Sequence, residues 1–191
     1  MLQKNNYWDS LGLKKKFTIP FYFPIFFKEI GLNSSILDYG CGYGRIINYI
    51  YDKGYNSIFG CDVSFNMLDQ AKQNKPQINL FKIDSKETKL PCKNSSFDAV
   101  FLIAVLTCII DDKNQFSLVK ELKRVLKPNG YLFVSDFLLN TDERNIERYN
   151  KYFSQFNTYG VFETDDKARL RHHSKEHILK LFQDFSIISF S

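Results

Sequence analysis

The sequence predicts an α/β protein built on a doubly wound, mainly parallel sheet with helices on both faces. Short apolar segments alternate with amphipathic helical segments, glycines mark many of the turns, and acidic residues follow several of the apolar segments. Such alternation requires crossover connections, which join parallel strands and cover both faces of the sheet. With 191 residues and 44% hydrophobic content, the chain is expected to form a single domain over residues 1–191.

The first half of the chain begins with a predicted N-terminal cap over residues 1–31. A helix is expected from Pro24 to about Ile30, because proline suits the first turn of a helix. The segment YWDSLGLKKKF, with Tyr7 and Trp8, is expected either to fold across a ligand site or to pack against the sheet. The next elements are a strand in SSILDYG, a helix in GRIINYIYDKG, a strand in SIFGCD and a helix in SFNMLDQAKQN, which Ser64 caps.

The second half of the chain continues this alternation. Strands are predicted in INLFKID and in SFDAVFLIAV, followed by a helix over Asn114–Leu126 that KPNG ends and by a strand in YLFVSDF. Towards the end, SKEHILKLF predicts a helix with Ser174 as its N-cap, and FSIISFS predicts a last strand.

Composition excludes several classes of protein. The net charge of +5 comes from 26 basic residues interleaved with 21 acidic ones, so no basic block indicates nucleic-acid binding. The four cysteines form no Cys-x-x-Cys pair, which argues against a metal site and against a disulfide framework. The longest apolar run, residues 99–110, is shorter than the roughly 20 residues of a membrane span, and no apolar signal core stands at the N-terminus. We therefore expect a cytoplasmic protein without metal and without a membrane partner.

A glycine-rich loop carries the main functional signal. The segment DYGCGYG, residues 38–44, leaves a predicted buried strand and enters a helix, with glycine at every second position from 40 to 44. Glycine permits positive φ angles and lets the backbone approach a ligand closely, while free N–H groups at the helix start face the same space. Such loops are typical of sites for an adenosyl group or a phosphate, although an ordinary strand-to-helix turn can look the same.

Carboxylates follow three successive predicted strands, at Asp38, Asp62 and Asp84. Asp62 follows Gly40 by 22 residues, the separation at which a carboxylate can accept hydrogen bonds from both ribose hydroxyls of an adenosine. Asp38 can attract the amino group of a methionine moiety, and Asp84 can accept a hydrogen bond from an adenine amine. The three positions predict a ligand that contains adenosine, bound beyond the carboxyl ends of the strands.

The segments ILDYGCGYGR, GCDVS, LPCKNSSFDAV and ELKRVLKPNGYLFVSDF, in this order, resemble the successive motifs of class I S-adenosylmethionine-dependent methyltransferases. The resemblance covers residues 36–137 and implies a Rossmann-like cofactor-binding core there, an S-adenosylmethionine cofactor and S-adenosylhomocysteine as product. It implies that Met67 packs near the adenine and that Ala104 lines the methionine end. The cofactor-binding residues inferred in this way are Asp38, Tyr39, Gly40, Cys41, Gly42, Gly44, Asp62, Val63, Met67, Asp84, Ser85 and Ala104.

Two functions of other classes stay open beside this one. A nicotinamide-dependent oxidoreductase shares the fold and the ribose-binding acid, but its usual G-x-G-x-x-G loop shelters a pyrophosphate. In this sequence the third glycine comes one residue earlier than in that motif, and Arg45 stands where the motif has its small third residue. Two nearby acidic residues would also repel a pyrophosphate. A regulatory subunit that binds the cofactor without catalysis fits residues 36–137 equally well.

The segment 141–174 departs from the alternating pattern, and we interpret it as a substrate cover, with a solvated helix and hairpin as the alternative. Methyl transfer is an in-line displacement in which the protein mainly positions the acceptor, and an oxygen or protonated amine acceptor also needs a base. The candidate catalytic residues are His172, His173 and Tyr149, and helix capping or packing is the alternative for both histidines. The candidate substrate-binding residues are Arg148, Tyr159 and Arg171.

These arginines predict a small anionic acceptor that is methylated on oxygen or nitrogen, and a protein or tRNA acceptor is the alternative. Amines of nucleic-acid bases are disfavoured, because the Pro-Pro-aromatic signature of DNA and RNA enzymes that methylate them is missing at the end of the fourth strand. Pro91-Cys92 precedes that strand, whereas a nucleophilic cysteine would follow it. The resemblance also implies a seventh, antiparallel strand, which we expect this chain to lack. An uncovered sheet edge invites pairing, which leaves a homodimer open.

Overall fold

The structure is a computed structural model that describes residues 5–10, 21–84, 87 and 89–190. Its strands β1 (Ile36–Tyr39), β2 (Ile58–Asp62), β3 (Asn79–Lys82), β4 (Phe97–Ile103) and β5 (Leu126–Ser135) form one sheet in the order β3-β2-β1-β4-β5. Every neighbouring pair in this sheet is parallel, which confirms the predicted doubly wound, Rossmann-like α/β class.

Helices cover both faces of the sheet. The short α1 (Asn5–Ser10) contacts α4 (Phe65–Asn74), while α2 (Pro24–Glu29), α3 (Arg45–Tyr51) and α4 contribute to the apolar core on one face. On the other face, α5 (Asp112–Val125) and α7 (Lys175–Leu181) pack against the sheet. Between α5 and α7 the chain forms α6 (Glu143–Phe156) and a two-stranded antiparallel hairpin of β6 (Val161–Glu163) and β7 (Arg169–Arg171).

Strand β4 shows why this sheet needs two covering layers. Phe101 and Ile103 belong to the core on the α2–α3 face, whereas Val100 and Leu102 belong to the core on the α5–α7 face. Because side chains alternate along a strand, a continuous apolar run requires apolar layers on both sides. Phe26 of α2 lies 5.0 Å from the ring centroid of Phe101, which fixes this helix on the sheet.

The start of β5 differs from the sequence expectation. Helix α5 ends at Val125, as the KPNG signal predicted to within one residue, but Leu126 already pairs with Phe97 of β4. The register then shifts before Tyr131 pairs with Ala99, so the residues 127–130 form an irregularity inside the strand instead of a separate loop. Asn129 accommodates this irregularity with a φ of 63°.

The predicted last strand is wrong within the described residues, which end at 190. Residues 186–190 have no regular secondary structure, and Ile187 and Ile188 are exposed. Apolar and β-branched composition favours a strand only where a neighbouring strand offers hydrogen bonds and packing. No described strand pairs with this segment, and no antiparallel strand joins the five-stranded sheet in the described ranges.

Across the described part of the chain, we found no helix with the length and apolar content that crossing a membrane requires.

Close packing between β2 and α3 yields a test of the core. A Cβ atom on Gly60 would lie 2.5 Å from Cδ1 of Ile47 and 2.7 Å from Cδ2 of Leu80. We expect Gly60→Ala to lower the free energy of unfolding by about 1–3 kcal/mol through overpacking, as measured by urea denaturation. Gly31→Ala is the matched control, because the nearest atom to its added Cβ is 4.0 Å away. Equal stability of the two variants would contradict this packing.

Candidate functional site

A cavity lies at the carboxyl ends of β1 and β4, where the order of strands along the sheet reverses. Parallel α/β sheets bind their ligands at such a point. Its walls come from the loops after β1 and β4, from the ends of β2 and β3, and from α1 and α4. The lining residues are Trp8, Asp38, Tyr39, Gly40, Cys41, Gly42, Tyr43, Arg45, Ile46, Asp62, Val63, Met67, Ile83, Ile103, Ala104, Val105, Cys108 and Ile109.

The glycine loop closes tightly over the end of β2. The backbone N–H groups of Gly40 and Cys41 both donate to the carbonyl oxygen of Cys61, at 2.8 and 3.0 Å. Gly40 has a φ of 73°, and a Cβ atom there would lie 2.5 Å from Cγ2 of Val105. Glycine is therefore required where the loops after β1 and β4 approach each other.

Asp62 holds the glycine loop to the end of β2. Its Oδ2 accepts a hydrogen bond from the N–H of Gly42, and its Oδ1 accepts one from the N–H of Ser64, both at 2.9 Å. Burial raises the pKa of this carboxyl, although the hydrogen bonds from backbone N–H groups oppose the shift. The same carboxylate that the sequence assigned to ribose recognition thus also orders the loop around it.

Asp38 is a buried carboxylate in the cavity wall whose Oδ2 accepts no hydrogen bond from any described residue. Burial, followed by the nearby charge of Asp62, raises the pKa of Asp38 to about 7, while Arg45 opposes the shift. A buried carboxylate oxygen without a partner is costly, and a cationic donor would satisfy it. Asp38 is therefore suited to bind a positively charged amino group.

Two predicted cofactor-binding residues, Gly44 and Asp84, are not among the described residues that line the cavity. Gly44 is the N-cap residue of α3 with a φ of 81°, so it shapes the loop from outside the wall. Asp84 is exposed and follows Ile83, which does line the cavity. Ser85 lies outside the described residues. The other nine predicted cofactor-binding residues all lie in the cavity wall.

The N-terminal helix α1 reaches across one side of the cavity, where Trp8 lines the wall. Ser64 donates a hydrogen bond of 2.8 Å to Oδ1 of Asp9, and the Tyr7 hydroxyl donates to Oδ2 of Asp166 at 2.9 Å. These bonds tie α1 to the core and to the turn between β6 and β7. Residues 1–4 and 11–20 of the predicted N-terminal cap lie outside the described residues.

The apolar wall after β4 is the part of the cavity that sequence reasoning missed. Val105, Cys108 and Ile109 line it, and a single 3-10 turn, Leu106–Cys108, shapes it. The sequence places these residues in an apolar run that reads as a strand continuing to Val105. Only the left-handed φ of 55° at Ala104, which ends the strand, sets this turn apart, and alanine gives no sequence signal for it.

The structure brings together His172, Tyr149 and Arg148 in the segment 141–174, but none of them lines the cavity. Tyr149 Oη lies 2.6 Å from Nδ1 of His172, and an Arg148 guanidinium nitrogen lies 3.5 Å from Nε2. Burial, and then the charge of Arg148, lowers the pKa of His172 to about 4. Tyr159 is half-exposed and packs edge-on against Tyr149.

His173 and Arg171 are buried on the opposite side of the hairpin and also lie outside the cavity wall. Arg171 donates hydrogen bonds to the carbonyl oxygen of Ile110 at 3.0 Å and to Oδ1 of Asp112 at 2.5 Å. Burial, followed by the charge of Arg171, lowers the pKa of His173 to about 3. The predicted catalytic and substrate-binding roles in this segment stay predictions. Its helix and hairpin are not simply solvated, since both histidines and Tyr149 are buried.

Among the described residues, no group of three or more His, Cys, Asp and Glu side chains is arranged to hold a metal ion.

Comparisons with known proteins point to the same core. The family model described as "Methyltransferase domain" matches residues 37–134, just over half of the chain. A demethylmenaquinone methyltransferase of Paenarthrobacter aurescens is 28% identical over 109 residues, covering 57% of this chain and 41% of that protein. The eEF1A lysine and N-terminal methyltransferase of Homo sapiens is 29% identical over 119 residues, covering 56% of this chain and 17% of that protein.

A third curated relative, a tRNA N(3)-cytidine methyltransferase of Mus musculus, is 31% identical over 111 residues, covering 53% of this chain and 28% of that protein. The chain thus spans less than half the length of these three relatives. Among solved structures, a protein described as a SAM-dependent methyltransferase from Methanosarcina mazei superimposes with a TM-score of 0.78 at 25% identity. That match covers 85% of this chain and 84% of the other.

The buried imidazoles of His172 and His173 lead to a prediction about pH. Because burial lowers both pKa values from the usual 6.5, we expect both rings to stay neutral from about pH 5.5 upward. Their contribution to stability is then full above pH 6.5 and is lost as the pH falls towards 4 and 3, since the unfolded chain takes up protons first. Imidazole NMR titration, assigned with His172→Asn and His173→Asn, measures this directly. A ring that titrates near pH 6.5 in the folded protein would contradict the arrangement.

Proposed function

Because the chain belongs to the methyltransferase domain family, we propose that it binds S-adenosylmethionine in the cavity between the ends of β1 and β4 and transfers the methyl group to an acceptor. The observation that carries this proposal is the unpartnered oxygen of Asp38, buried beside a glycine loop that leaves room for a ligand. The amino group of the cofactor's methionine part is the cation that this oxygen lacks.

The other walls of the cavity support the same ligand. Asp62 keeps acceptor capacity beyond its two backbone hydrogen bonds, because each carboxylate oxygen has two lone pairs, and it can accept from ribose hydroxyls. Val63, Met67 and Ile83 offer apolar surface at the ends of β2 and β3, where a flat adenine would pack. We propose that Asp84 and Ser85, which follow Ile83, contact the adenine edge.

When bound, S-adenosylmethionine supplies an electrophilic methyl carbon on a sulfonium. The work left to this chain is to hold the acceptor in line and to exclude water. The apolar side chains of Ile103, Val105 and Ile109 suit that task at the wall after β4. A direct role for His172 or His173 as a base requires the hairpin to move, because neither side chain lines the cavity in this arrangement.

A dinucleotide fits the same walls less well. Asp38 and Asp62 are both buried next to the start of α3, where a pyrophosphate would have to bind. Two carboxylates there would oppose the added negative charge, since burial weakens screening by water. The geometry therefore favours a ligand with a cationic end.

For the acceptor we propose a small anionic molecule that is methylated on oxygen or nitrogen. Arg148 supports this, because its Nε is buried without a partner among the described residues and its guanidinium lies 3.6 Å from the ring centroid of Phe162. A protein or a tRNA is the second candidate, favoured by the names of two relatives with the same core. The reduced thiols of Cys41, Cys61 and Cys92 support our proposal of a cytoplasmic location. A homodimer also stays a proposal.

Ligand binding is tested with the only tryptophan of the chain, Trp8, which lines the cavity. We expect S-adenosylmethionine and S-adenosylhomocysteine to change its fluorescence in a saturable way and to release heat in calorimetry, because both would contact this wall. NADH and NAD are the comparison ligands. Tight binding of a nicotinamide dinucleotide, with no heat from either adenosyl compound, would refute the proposed cofactor.

The raised pKa of Asp38 makes cofactor affinity depend on pH. Only the ionised carboxylate pairs with an amino group, so we expect full affinity above about pH 7 and a loss of up to roughly tenfold per unit below it. Asp38→Asn is expected to weaken binding about 10- to 100-fold and to flatten the profile. Calorimetry with S-adenosylhomocysteine between pH 5.5 and 8.5 measures both effects. Asp69→Asn on the exposed face of α4 is the matched control, and an identical pH profile in Asp38→Asn would exclude this role for Asp38.

A further inference from the structure

The segment of residues 104–110 forms the cavity wall after β4, where Ala104, Val105, Cys108 and Ile109 contribute lining side chains. It contains one 3-10 turn and begins with a left-handed residue, so its own hydrogen bonds fix few of its backbone groups. What holds this segment in place must come from outside it.

Asp136 holds the segment 104–110 from the end of β5. Its side chain is 3% exposed, and its Oδ1 accepts hydrogen bonds from the N–H groups of Thr107 at 3.1 Å and Phe137 at 2.9 Å. Its Oδ2 and the hydroxyl of Thr107 have no partner among the described residues. A buried carboxylate therefore satisfies a backbone N–H group of the segment that no helix or strand satisfies.

Gln115 of α5 holds the carbonyl groups of the same segment. Its side chain is fully buried, and its Nε2 donates to the carbonyl oxygens of Leu106 at 3.1 Å and Ile109 at 2.6 Å. Within residues 106–109, Asp136 thus accepts from a backbone N–H group, whereas Gln115 donates to two backbone carbonyl groups. Removal of either would leave buried polar groups of the wall unsatisfied.

His173 lies between these two residues. Its Nε2 is 2.8 Å from Nε2 of Gln115, and its Nδ1 is 3.3 Å from the carbonyl oxygen of Phe137 and 4.0 Å from Oδ1 of Asp136. The distances fit a neutral ring whose Nδ1–H donates towards Phe137 and whose Nε2 is an acceptor. The two N–H groups of Gln115 Nε2 are then shared among three acceptors, which are the carbonyl oxygens of Leu106 and Ile109 and Nε2 of His173. His173 is the second residue after β7. Its contacts with Gln115 and Phe137 therefore connect the hairpin to the buried polar groups that hold the segment 104–110.

We propose, resting on the proposed function, that Asp136 and Gln115 are positioning residues that clamp the segment 104–110 as the acceptor-side wall of the cavity, and that His173 links this clamp to the hairpin. The clamp fixes where the apolar wall stands relative to the cofactor. His173 then acts through the placement of this wall and not as a group that touches the acceptor.

The alkylation rate of the Cys108 thiol measures how firmly the segment 104–110 is held, because Cys108 lies in this segment and lines the cavity. In a Cys92→Ser background, Cys108 is the only half-buried thiol left, since Cys41 and Cys61 are buried. Alkylation by iodoacetamide, followed by mass spectrometry of the labelled peptide, gives its rate of exposure without any ligand. We expect Asp136→Ala to raise this rate by roughly tenfold or more, because the N–H of Thr107 loses its buried acceptor.

Two variants separate positioning from general destabilisation. Asp136→Asn keeps an acceptor oxygen and should label within about twofold of the parent rate, which is the rescue that the proposal requires. Gln115→Met keeps the volume but loses the donor, and it should raise the rate as Asp136→Ala does. Gln115→Met also decides the question alone if Asp136→Ala does not fold.

The matched control is Asp98→Ala, at the opposite end of β4, where this carboxylate accepts a hydrogen bond of 2.8 Å from the N–H of Ser35. We expect it to leave the Cys108 rate unchanged, although it also removes an acceptor from a backbone N–H. Equal acceleration in Asp98→Ala, an unchanged rate in both Asp136→Ala and Gln115→Met, or no rescue by Asp136→Asn would overturn the clamp.

S-adenosylhomocysteine provides a second readout of the same variants. We expect it to protect Cys108 from alkylation in the parent and to protect it several-fold less in Asp136→Ala and Gln115→Met, because a displaced wall no longer closes on the ligand. If the parent itself binds no adenosyl compound, the proposed function fails while the ligand-free rates still decide the clamp. Equal protection in the parent and in both clamp variants would overturn the clamp as a positioning device.

Discussion

The close approach of the loops after β1 and β4 is the constraint on which the rest of this structure depends. Parallel pairing of these two strands brings Gly40 against Val105, with no room for a side chain between them. Gly40 and Val105 both line the cavity, and Asp38 and Asp62 lie in the same wall. Both carboxylates are buried beside these loops, and burial is the largest cause of their raised pKa values.

Much of the polar chemistry of the segment 141–174 stabilises the fold of this segment itself. Arg171 binds Asp112 and the carbonyl of Ile110, and His173 contacts Gln115, so both attach the hairpin to the sheet layer. Basic and aromatic residues in an irregular segment suggest substrate contacts from the sequence alone. In the folded chain, the same side chains are needed as hydrogen-bond partners for buried polar groups, so fewer of them are left to contact a substrate.

The elements that could be predicted are those that local sequence determines. Ser64 and Ser174 cap α4 and α7 as expected, because an N-cap depends on groups within three residues. The α/β class could be predicted from the alternation of helices and strands. Nine of the residues predicted to bind a cofactor lie in the cavity wall because the carboxyl ends of the strands converge at one edge of the sheet. The last strand, the wall after β4 and the links made by Gln115 could not be predicted, since each depends on partners distant in the chain.

The hydrogen bonds of Asp62 connect the end of β2 to the N-terminal helix α1. Its carboxylate accepts from the N–H of Ser64, and the hydroxyl of Ser64 donates to Asp9 of α1, which presents Trp8 to the cavity. A short chain of hydrogen bonds therefore runs from Asp62 to the amino-terminal helix α1. A displacement of the Asp62 carboxylate would therefore shift Ser64 and, through it, α1, so the end of β2 and this helix form one hydrogen-bonded side of the cavity.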